Sequence, residues 1–294
     1  MYTTIITAEE ASNLSANTLF FDCRHNLFNL SEGADNYAAG HLPGAWHLHM
    51  DDDLSGPIIP GTTGRHPLPD MDTFAVFISG FGLKQATQVV CYDDKGGGLA
   101  ARLWWMLRAL GHEATAVLDG GIQAWSEAGL PLEAGYREHP RDAGGDIAPH
   151  LAPFNPQWTR DRALFEKGQR SRRGFAGTRD RAQIETLRSD PDHAVIDSRT
   201  APRYRGEQEP IDPVAGHIEG AVNLPWPDNL ENGKLKSKDE LKARFSGLKA
   251  DAGKNVFYCG SGVTACHNML AYTYAFGEMP LLYPGSWSEW IVEE

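Results

Sequence analysis

The sequence predicts an α/β protein made of two similar halves, each a mostly parallel sheet flanked by helices on both faces. Three observations support this prediction. The 294 residues suit two average domains better than one. Motifs of the first half return in the second half in the same order. Short apolar runs alternate with longer helical patterns, which is typical of β-α-β units and a parallel sheet.

Four pairs of segments carry the repeat, and each pair is separated by roughly 165 to 176 residues. The pairs are 21–24 with 196–199, 40–45 with 216–221, the strand ending at Asp93 with the strand ending at Cys259, and 118–125 with 283–290. Their constant order indicates an internal duplication. Because His41 and His217 stand at matching places in both copies, we expect them to be structural.

Within each copy the apolar pattern predicts individual elements. Residues 99–111 form an apolar-striped helix that ends at a glycine, and residues 115–118 form a buried strand. Around residues 133–156 the chain is rich in proline and glycine and has no periodicity, which predicts a connection. The predicted domains are therefore 1–135 and 157–294, joined by a linker over 136–156.

Composition limits the partners. The formal charge of −12 and the pI near 5.4 argue against nucleic acid or a membrane surface as the main partner. The first ten residues lack a secretory signal, and no apolar run is long enough to span a membrane. The four cysteines have no C-x-x-C spacing, so neither a disulfide framework nor a metal site is expected. We expect a cytoplasmic protein.

The segment from Val256 to Ala265 is the strongest chemical signal. A short apolar strand ends at Cys259, and a glycine-rich turn leads into a helix. Backbone N–H groups of such a turn favour negative charge, which lowers a thiol pKa and creates a nucleophile. A buried structural cysteine is the alternative.

Three reactions suit such a thiolate: phosphoryl, acyl and sulfur transfer. The turn has no arginine to bind phosphoryl oxygens, which disfavours a phosphatase. Acyl transfer needs a histidine base that the sequence does not place beside the cysteine. Sulfur transfer needs only a thiolate whose persulfide is stabilised by the N–H groups of the turn.

The same motifs identify a family. Paired Gly-His-x-x-Gly-Ala segments, Cys-Gly-Ser-Gly-Val-Thr-Ala at 259–265 and Gly-Ser-Trp-x-Glu-Trp at 285–290 resemble the tandem-domain sulfurtransferases of the rhodanese superfamily. The resemblance covers nearly the whole chain. It implies an inactive amino-terminal domain, with Asp93 at the position of the nucleophile, and a carboxyl-terminal domain that carries Cys259. It implies no metal and no organic cofactor.

The residues of the turn also indicate which sulfur donor the protein uses. Family members that prefer thiosulfate carry two cationic side chains after the cysteine, whereas Gly260 and Ser261 are neutral and resemble the 3-mercaptopyruvate sulfurtransferases. The resemblance implies that sulfur moves from 3-mercaptopyruvate through a Cys259 persulfide to a thiol, thioredoxin or cyanide. Two alternatives stay open: a thiosulfate:cyanide sulfurtransferase, and a non-enzymatic sulfur carrier.

The resemblance also implies further site residues. Arg203 matches an arginine that binds the anionic end of the substrate. The family has a second arginine where this chain has Ile211, and Arg205 or Arg199 could take its place in binding the substrate. Ser261, His66 and Asp51 match residues that form a proton relay in the family. The structural alternatives are a turn residue for Ser261, a histidine of the domain interface for His66 and a turn carboxylate for Asp51. The backbone donors around the substrate would come from Gly260, Gly262, Val263 and Thr264.

Overall fold

The computed structural model describes residues 1–138, 140, 151, 175 and 177–292. The predicted linker over 136–156 lies almost entirely outside the described residues, so the domain boundaries stay a prediction. Among the described helices, none combines the length and the apolar character that crossing a membrane would require.

The amino-terminal half forms a five-stranded sheet with the order β1-β5-β4-β2-β3, in which all neighbouring strands are parallel. Its strands are β1 (Ile5–Ile6), β2 (Thr18–Asp22), β3 (Trp46–His47), β4 (Gln88–Tyr92) and β5 (Thr115–Leu118). Its helices are α1 (Ala8–Ser12), α2 (Glu32–Ala39), α3 (Met71–Ser79), α4 (Ala100–Ala109) and α5 (Gly121–Glu127).

The carboxyl-terminal half repeats this plan with a four-stranded parallel sheet of order β11-β10-β6-β7. Its strands are β6 (Ala194–Asp197), β7 (Val222–Asn223), β10 (Asn255–Tyr258) and β11 (Leu281–Leu282), with a separate antiparallel pair β8 (Leu230–Glu231) and β9 (Lys234–Leu235). Its helices are α6 (Arg181–Leu187), α7 (Ala201–Tyr204), α8 (Lys238–Phe245), α9 (Ala265–Phe276) and α10 (Ser286–Trp290), with short 3-10 turns at Trp226–Asn229 and Ala252–Lys254.

Alternate residues of the central strands face two separate cores, because successive side chains of a strand point to opposite faces. On β4, Val89 and Cys91 pack into one apolar cluster, whereas Val90 and Tyr92 pack into another with α1 and α5. Both faces of the sheet are therefore covered by helices, as predicted. The first cluster also contains Phe257 of β10, so one core runs through both halves of the chain.

The repeated histidines are structural, as the sequence predicts. The ring of His41 stacks on Tyr37 with centroids 3.9 Å apart, and its Nδ1 lies 2.9 Å from the Tyr37 carbonyl oxygen. In the second half, His217 stacks on Tyr204 at the same centroid distance of 3.9 Å, and its Nδ1 lies 2.8 Å from the Tyr204 carbonyl oxygen. The duplication therefore extends to individual side-chain contacts.

Candidate active site

Cys259 follows β10 directly, at the carboxyl edge of the sheet, and the turn 260–264 carries the chain into α9. The sulfur is buried, and the Gly262 N–H donates a hydrogen bond to it over 3.2 Å. Gly262 has φ +77°, and a Cβ at this position would lie 2.3 Å from the Pro284 carbonyl oxygen. Only glycine fits there, so the N–H that faces the sulfur depends on this residue.

The turn also tunes the acidity of the thiol. Burial alone raises the pKa of Cys259, because the surroundings solvate a thiolate poorly. Hydrogen bonds from the Thr264 side chain and from the N–H groups of Ser261, Ala265 and Gly262 outweigh that effect and bring the pKa below its ordinary value of 9.0. The group is therefore poised to act as a thiolate nucleophile.

The first residues of α10 hydrogen-bond to the backbone of Cys259 and so help to position the turn. The Cys259 N–H donates to Ser286 Oγ over 3.1 Å, and the same hydroxyl donates to the Tyr283 carbonyl over 3.0 Å. The Trp287 N–H donates to the Cys259 carbonyl over 3.0 Å. Ser286 holds φ at +56°, a conformation that non-glycine residues rarely adopt. These bonds fix the backbone on both sides of the sulfur.

Three side chains that the sequence singles out form one hydrogen-bonded chain across the two halves. His66 Nδ1 lies 2.7 Å from Ser261 Oγ, and His66 Nε2 lies 2.9 Å from Asp51 Oδ1. Asp51 follows β3 and His66 precedes α3, so the amino-terminal half supplies both. Because a carboxylate only accepts, Nε2 carries the proton and Nδ1 accepts from the Ser261 hydroxyl.

The charge states of His66 and Asp51 suit a role of His66 as a general base. Burial lowers the pKa of His66 below 6.5, although the hydrogen bond and the charge of Asp51 oppose the change. The bond to His66 in turn lowers the pKa of Asp51, against the effect of its partial burial. At neutral pH the pair is therefore a neutral imidazole oriented by a carboxylate, which is the form that accepts a proton.

Two guanidinium groups flank the turn, and the sequence pointed to only one. A Cβ placed on Gly260 would lie 3.0 Å from Arg65 Nη2 and 3.5 Å from both terminal nitrogens of Arg203. Arg65 forms an ion pair with Asp212, which also lies 3.2 Å from Arg203 Nη2. Arg203 also binds Glu209: the same Nη2 donates to Glu209 Oε1 over 2.6 Å, and Nε donates to Oε2 over 3.2 Å. The two arginines come from different halves of the chain.

The two other candidates for a second arginine already bind carboxylates of the chain. Arg205 pairs with Glu207, and both side chains are about half exposed. Arg199 is buried, binds both oxygens of Asp197 and donates to the Gly216 carbonyl over 2.6 Å. Its Nη1 lies 3.3 Å from Oε2 of Glu209, which also binds Arg203. Arg65 is thus an additional cation beside Gly260, and nothing in its local sequence indicates it, because 147 residues separate it from Asp212.

The predicted substrate-binding residues of the turn differ in what they contact. The N–H groups of Ser261 and Gly262 and the Thr264 hydroxyl bind the sulfur directly. Val263 is different, because its side chain packs into the core that both halves share. Gly260 lies under the two arginines, with its carbonyl accepting from the Ser288 N–H over 2.9 Å.

Among the described residues, His25, His49 and Asp51 are grouped closely enough to raise the question of a metal ion. Their candidate ligand atoms lie within 4.8 Å of one another. Ligands around one zinc ion are about 3.5 Å apart, and Asp51 is already bound by His66. The arrangement fits the relay better than a metal centre.

Comparison with known proteins decides the family. The rhodanese-like domain family matches residues 7–128 and 180–293, one match in each half of the chain. The chain belongs to the rhodanese family. Of the residues placed at the site, Asp51 and His66 fall in the first rhodanese domain, whereas Arg203 and Cys259 fall in the second.

Individual relatives agree with this assignment. A Pseudomonas aeruginosa protein named as a probable 3-mercaptopyruvate sulfurtransferase is 41% identical, over 98% of this chain and 95% of its own length. A Mycobacterium tuberculosis protein named as a putative thiosulfate sulfurtransferase is 36% identical, over 88% of this chain and 83% of its own length. The solved structure of 3-mercaptopyruvate sulfurtransferase from Leishmania major matches with a TM-score of 0.79 and 31% identity, over 98% of this chain and 74% of that one. This rhodanese-family chain is a sulfurtransferase enzyme.

The first rhodanese domain holds a carboxylate where the second holds a thiol. Asp93 Oδ1 accepts the N–H groups of Lys95 and Gly97, both over 2.8 Å. Asp93 Oδ2 accepts those of Leu99 over 2.7 Å and Ala100 over 2.8 Å. The turn after Asp93 in the first domain therefore also directs several N–H donors to one anionic group. In this domain the group is the Asp93 carboxylate.

Sequence reasoning missed a second arginine, Arg102 of α4. It is fully buried, and its Nη1 donates to the Gly262 carbonyl over 3.0 Å, across the boundary between the two rhodanese domains. Its Nη2 donates to the carbonyls of His66 over 3.1 Å and Leu54 over 3.4 Å. One side chain thus links the turn of Cys259 to the segment that carries His66. In the sequence it is only a charged residue inside an apolar helix.

Proposed function

We propose that the protein transfers sulfur from 3-mercaptopyruvate, through a persulfide on Cys259, to an acceptor thiol, thioredoxin or cyanide. One observation carries the choice of donor: Ser261, His66 and Asp51 form a proton relay that ends beside the nucleophile. 3-Mercaptopyruvate has a thiol proton that must leave before sulfur transfer is complete. Thiosulfate has none, so a relay of this kind is useful only for a thiol donor.

The first half-reaction moves one sulfur atom from the donor to the enzyme. The Cys259 thiolate attacks the sulfur of the donor, and the carbon–sulfur bond breaks with its electron pair moving to carbon. The donor's thiol proton passes through Ser261 to His66 Nδ1, and the enolate of pyruvate takes up a proton to leave as pyruvate. The outer sulfur stays on Cys259 as a persulfide anion, which the N–H groups of the turn stabilise.

The second half-reaction restores the enzyme. An acceptor thiolate or cyanide attacks the outer sulfur, the sulfur–sulfur bond breaks, and Cys259 leaves as a thiolate with its lowered pKa. A low thiol pKa favours this departure. We also propose a cytoplasmic location, because a reducing compartment keeps Cys259 available as a thiol.

The donor is tested by measuring kcat/KM for 3-mercaptopyruvate and thiosulfate side by side, with cyanide as the acceptor. We expect a preference for 3-mercaptopyruvate of at least about 100-fold, the lower range for loss of general base assistance. A preference for thiosulfate would reject the proposed donor. Activity with neither donor, combined with a persulfide that only one protein partner can discharge, would favour a sulfur carrier.

Cys259→Ser separates a nucleophile from a packed cysteine. We expect no sulfur transfer, no mass increase of one sulfur atom after exposure to the donor, and an unchanged midpoint of urea unfolding. Cys266→Ser is a matched control, because this buried thiol has its pKa raised to about 12 by burial and stays protonated. A large loss of stability in Cys259→Ser would indicate a packing role instead.

A further inference from the structure

His25 is a buried histidine whose ring has no hydrogen-bond partner. Its side chain is only 4% exposed, and neither Nδ1 nor Nε2 is hydrogen-bonded to any of the described residues. A neutral imidazole carries one N–H, and burying such a group without an acceptor lowers the stability of a protein. The other buried histidines of the first domain each have a partner: His41, His47, His66 and His112. The exception points to a role for His25 beyond packing.

The ring of His25 lies against the relay. Its Nε2 is 3.9 Å from Asp51 Oδ2, whereas His66 binds the other oxygen, Oδ1. The His25 ring also meets the ring of His66 edge to face, with centroids 6.4 Å apart. Because an N–H···O hydrogen bond extends to about 3.2 Å, a shift of less than about 1 Å would bring His25 Nε2 into contact with Asp51 Oδ2. His25 is therefore placed to bind the second oxygen of the relay carboxylate.

His49, the other histidine beside Asp51, is already engaged. Its Nε2 lies 3.2 Å from the Leu30 carbonyl oxygen, and its Nδ1 accepts the Asp52 N–H over 3.4 Å. A carbonyl only accepts, so Nε2 carries the proton of the His49 ring. With both nitrogens in use, His49 has no N–H left for Asp51.

The chain holds His25 more firmly than it holds Asp51. Directly before His25, Arg24 binds both carboxylate oxygens of Asp22 at the end of β2. From the turn after β4, Lys95 Nζ donates to the His25 carbonyl over 3.3 Å. Asp51 stands on a turn, and its side chain is 33% exposed. A fixed ring beside a partly exposed carboxylate can restrict the rotation of that carboxylate.

The surroundings keep His25 neutral near neutral pH. Burial lowers the pKa of His25 to about 4, and the charge of Asp51 opposes this only in part. His49, His66 and Lys95 act in the same direction as burial. A neutral ring can donate an N–H to Asp51 without forming a second ion pair that competes with His66. The negative charge of Asp51 favours the tautomer whose proton is on Nε2.

We propose that His25 is a positioning residue of the proton relay: its Nε2–H holds Asp51 Oδ2, so that Asp51 Oδ1 stays on His66. The proposal rests on the proposed function, because it assigns His25 to the relay that takes the proton of a thiol donor. With both oxygens held, the carboxylate keeps the plane in which His66 Nε2 donates to it, and His66 Nδ1 stays directed at Ser261. In this role His25 acts through Asp51 and not on the donor.

His25→Phe keeps a buried ring and removes both nitrogens. We expect kcat/KM with 3-mercaptopyruvate to fall about 3- to 10-fold, the effect of one ordinary hydrogen bond, mainly through kcat. Because Asp51 then holds His66 less firmly, the pKa of His66 should decrease, and the acid limb of the kcat/KM profile should move to lower pH. The other charged groups that act on His66, Arg65 and Arg102, are unchanged by the substitution. The midpoint of urea unfolding should stay equal or rise, since an unpartnered buried N–H is removed.

Further variants separate positioning from packing. His25→Gln returns an N–H near the place of Nε2 and should recover part of the rate. His25→Ala fits the site without a clash and should move the pH profile as His25→Phe does. His112→Phe is the matched control, because it removes a buried histidine of the same domain that donates to the Thr87 carbonyl. Its urea midpoint should fall, whereas its pH profile should not move.

A double substitution shows whether His25 acts through the carboxylate. In the Asp51→Asn background, His25→Phe should change kcat/KM by less than about twofold, since the group that it positions is already lost. Losses that multiply would mean that His25 acts independently of Asp51, and would overturn the proposal.

The remaining outcomes separate this proposal from the proposed function. An unmoved pH profile in His25→Phe, with or without a lower urea midpoint, would overturn the positioning role while wild-type turnover of 3-mercaptopyruvate upheld the function. An equal loss in the discharge of a preformed Cys259 persulfide by cyanide would also overturn it, because that half-reaction does not use the relay. A wild-type enzyme that ignores 3-mercaptopyruvate and uses thiosulfate would overturn the function, and the role of His25 with it.

Discussion

Arg102 Nη1 lies 3.0 Å from the carbonyl oxygen of Gly262, although 160 residues separate them in the chain. The bond joins α4 of the first domain to the turn that follows Cys259. Burial lowers the pKa of Arg102. A thiolate at Cys259 has a smaller effect in the opposite direction, because the guanidinium lies close enough to interact with it. By the same interaction, a cation at this position must favour the thiolate.

Arg102→Met should therefore slow the reaction of Cys259 with iodoacetamide near neutral pH, by about tenfold. Stability should change by less than about 2 kcal/mol, because losing three carbonyl bonds is offset by removing a buried charge. Alkylation rates and urea unfolding check the two parts. An unchanged alkylation rate would mean that Arg102 does not influence the thiolate.

The relay predicts a specific pH dependence. His66 must be neutral to accept a proton, and burial lowers the pKa of His66 below 6.5 while Asp51 partly opposes this. As the pH falls below 6.5, kcat/KM for 3-mercaptopyruvate should decline when His66 becomes protonated. Asp51→Asn removes the opposing effect and lowers the pKa of His66 further, so the decline should begin at a lower pH.

The plateau should fall at the same time, by about 10- to 100-fold, since the amide in Asp51→Asn no longer holds the imidazole in the orientation that the carboxylate imposes. Profiles of kcat/KM against pH for the wild type and Asp51→Asn check both effects. Glu113→Gln, an exposed carboxylate paired with Arg108 on the same half, serves as the control. A decline that stays at the same pH in Asp51→Asn would assign the titration to another group.

Thr264→Val should weaken the nucleophile without changing the shape of the turn. The hydroxyl is the strongest of the hydrogen bonds that lower the pKa of Cys259, so its removal should raise that pKa. The thiolate fraction near neutral pH should fall about fivefold, the effect of one ordinary hydrogen bond. Ultraviolet absorbance of the thiolate, followed as a function of pH, measures this directly. An unmoved titration curve would show that the backbone N–H groups suffice.

Asp93→Asn tests the carboxylate in the first domain. The amide nitrogen introduced by this substitution would face two of the four N–H groups that Asp93 now accepts, leaving them without an acceptor. We expect a loss of about 2–4 kcal/mol in unfolding free energy, measured by urea denaturation. Asp239→Asn, at a 97% exposed side chain, should change stability by less than about 0.5 kcal/mol. Equal stability of the two variants would contradict the role of Asp93.

The features that sequence predicts best are those encoded locally. The turn after Cys259 occupies consecutive residues, so its N–H groups follow from the Gly-Ser-Gly pattern alone. The repeat predicts the two sheets because matching motifs recur in order. The same pairing predicts that Asp93 replaces the nucleophile, although the four N–H groups around its carboxylate emerge only from the folded turn.

Residues that act across the domain boundary follow less readily. His66 and Asp51 were indicated by resemblance, whereas their approach to Ser261 depends on how the two halves pack. Arg65 and Arg102 carry no local signal, since their roles arise from partners 147 and 160 residues away. Ile211 stands where the resemblance predicts a second arginine, and a search confined to the second domain does not lead to Arg65, which lies beside Gly260.

The core that contains both Trp104 of α4 and Met269 of α9 has a consequence for how this enzyme is assembled. The first domain has the role that a separate subunit has in a dimer, although both domains belong to one polypeptide. The pair resembles an intramolecular heterodimer, in which the second domain contributes Cys259 and Ser261 and the first contributes His66 and Asp51. Two separately expressed halves should therefore be inactive alone and should recover sulfur transfer when mixed, because association rebuilds a site that neither half contains by itself.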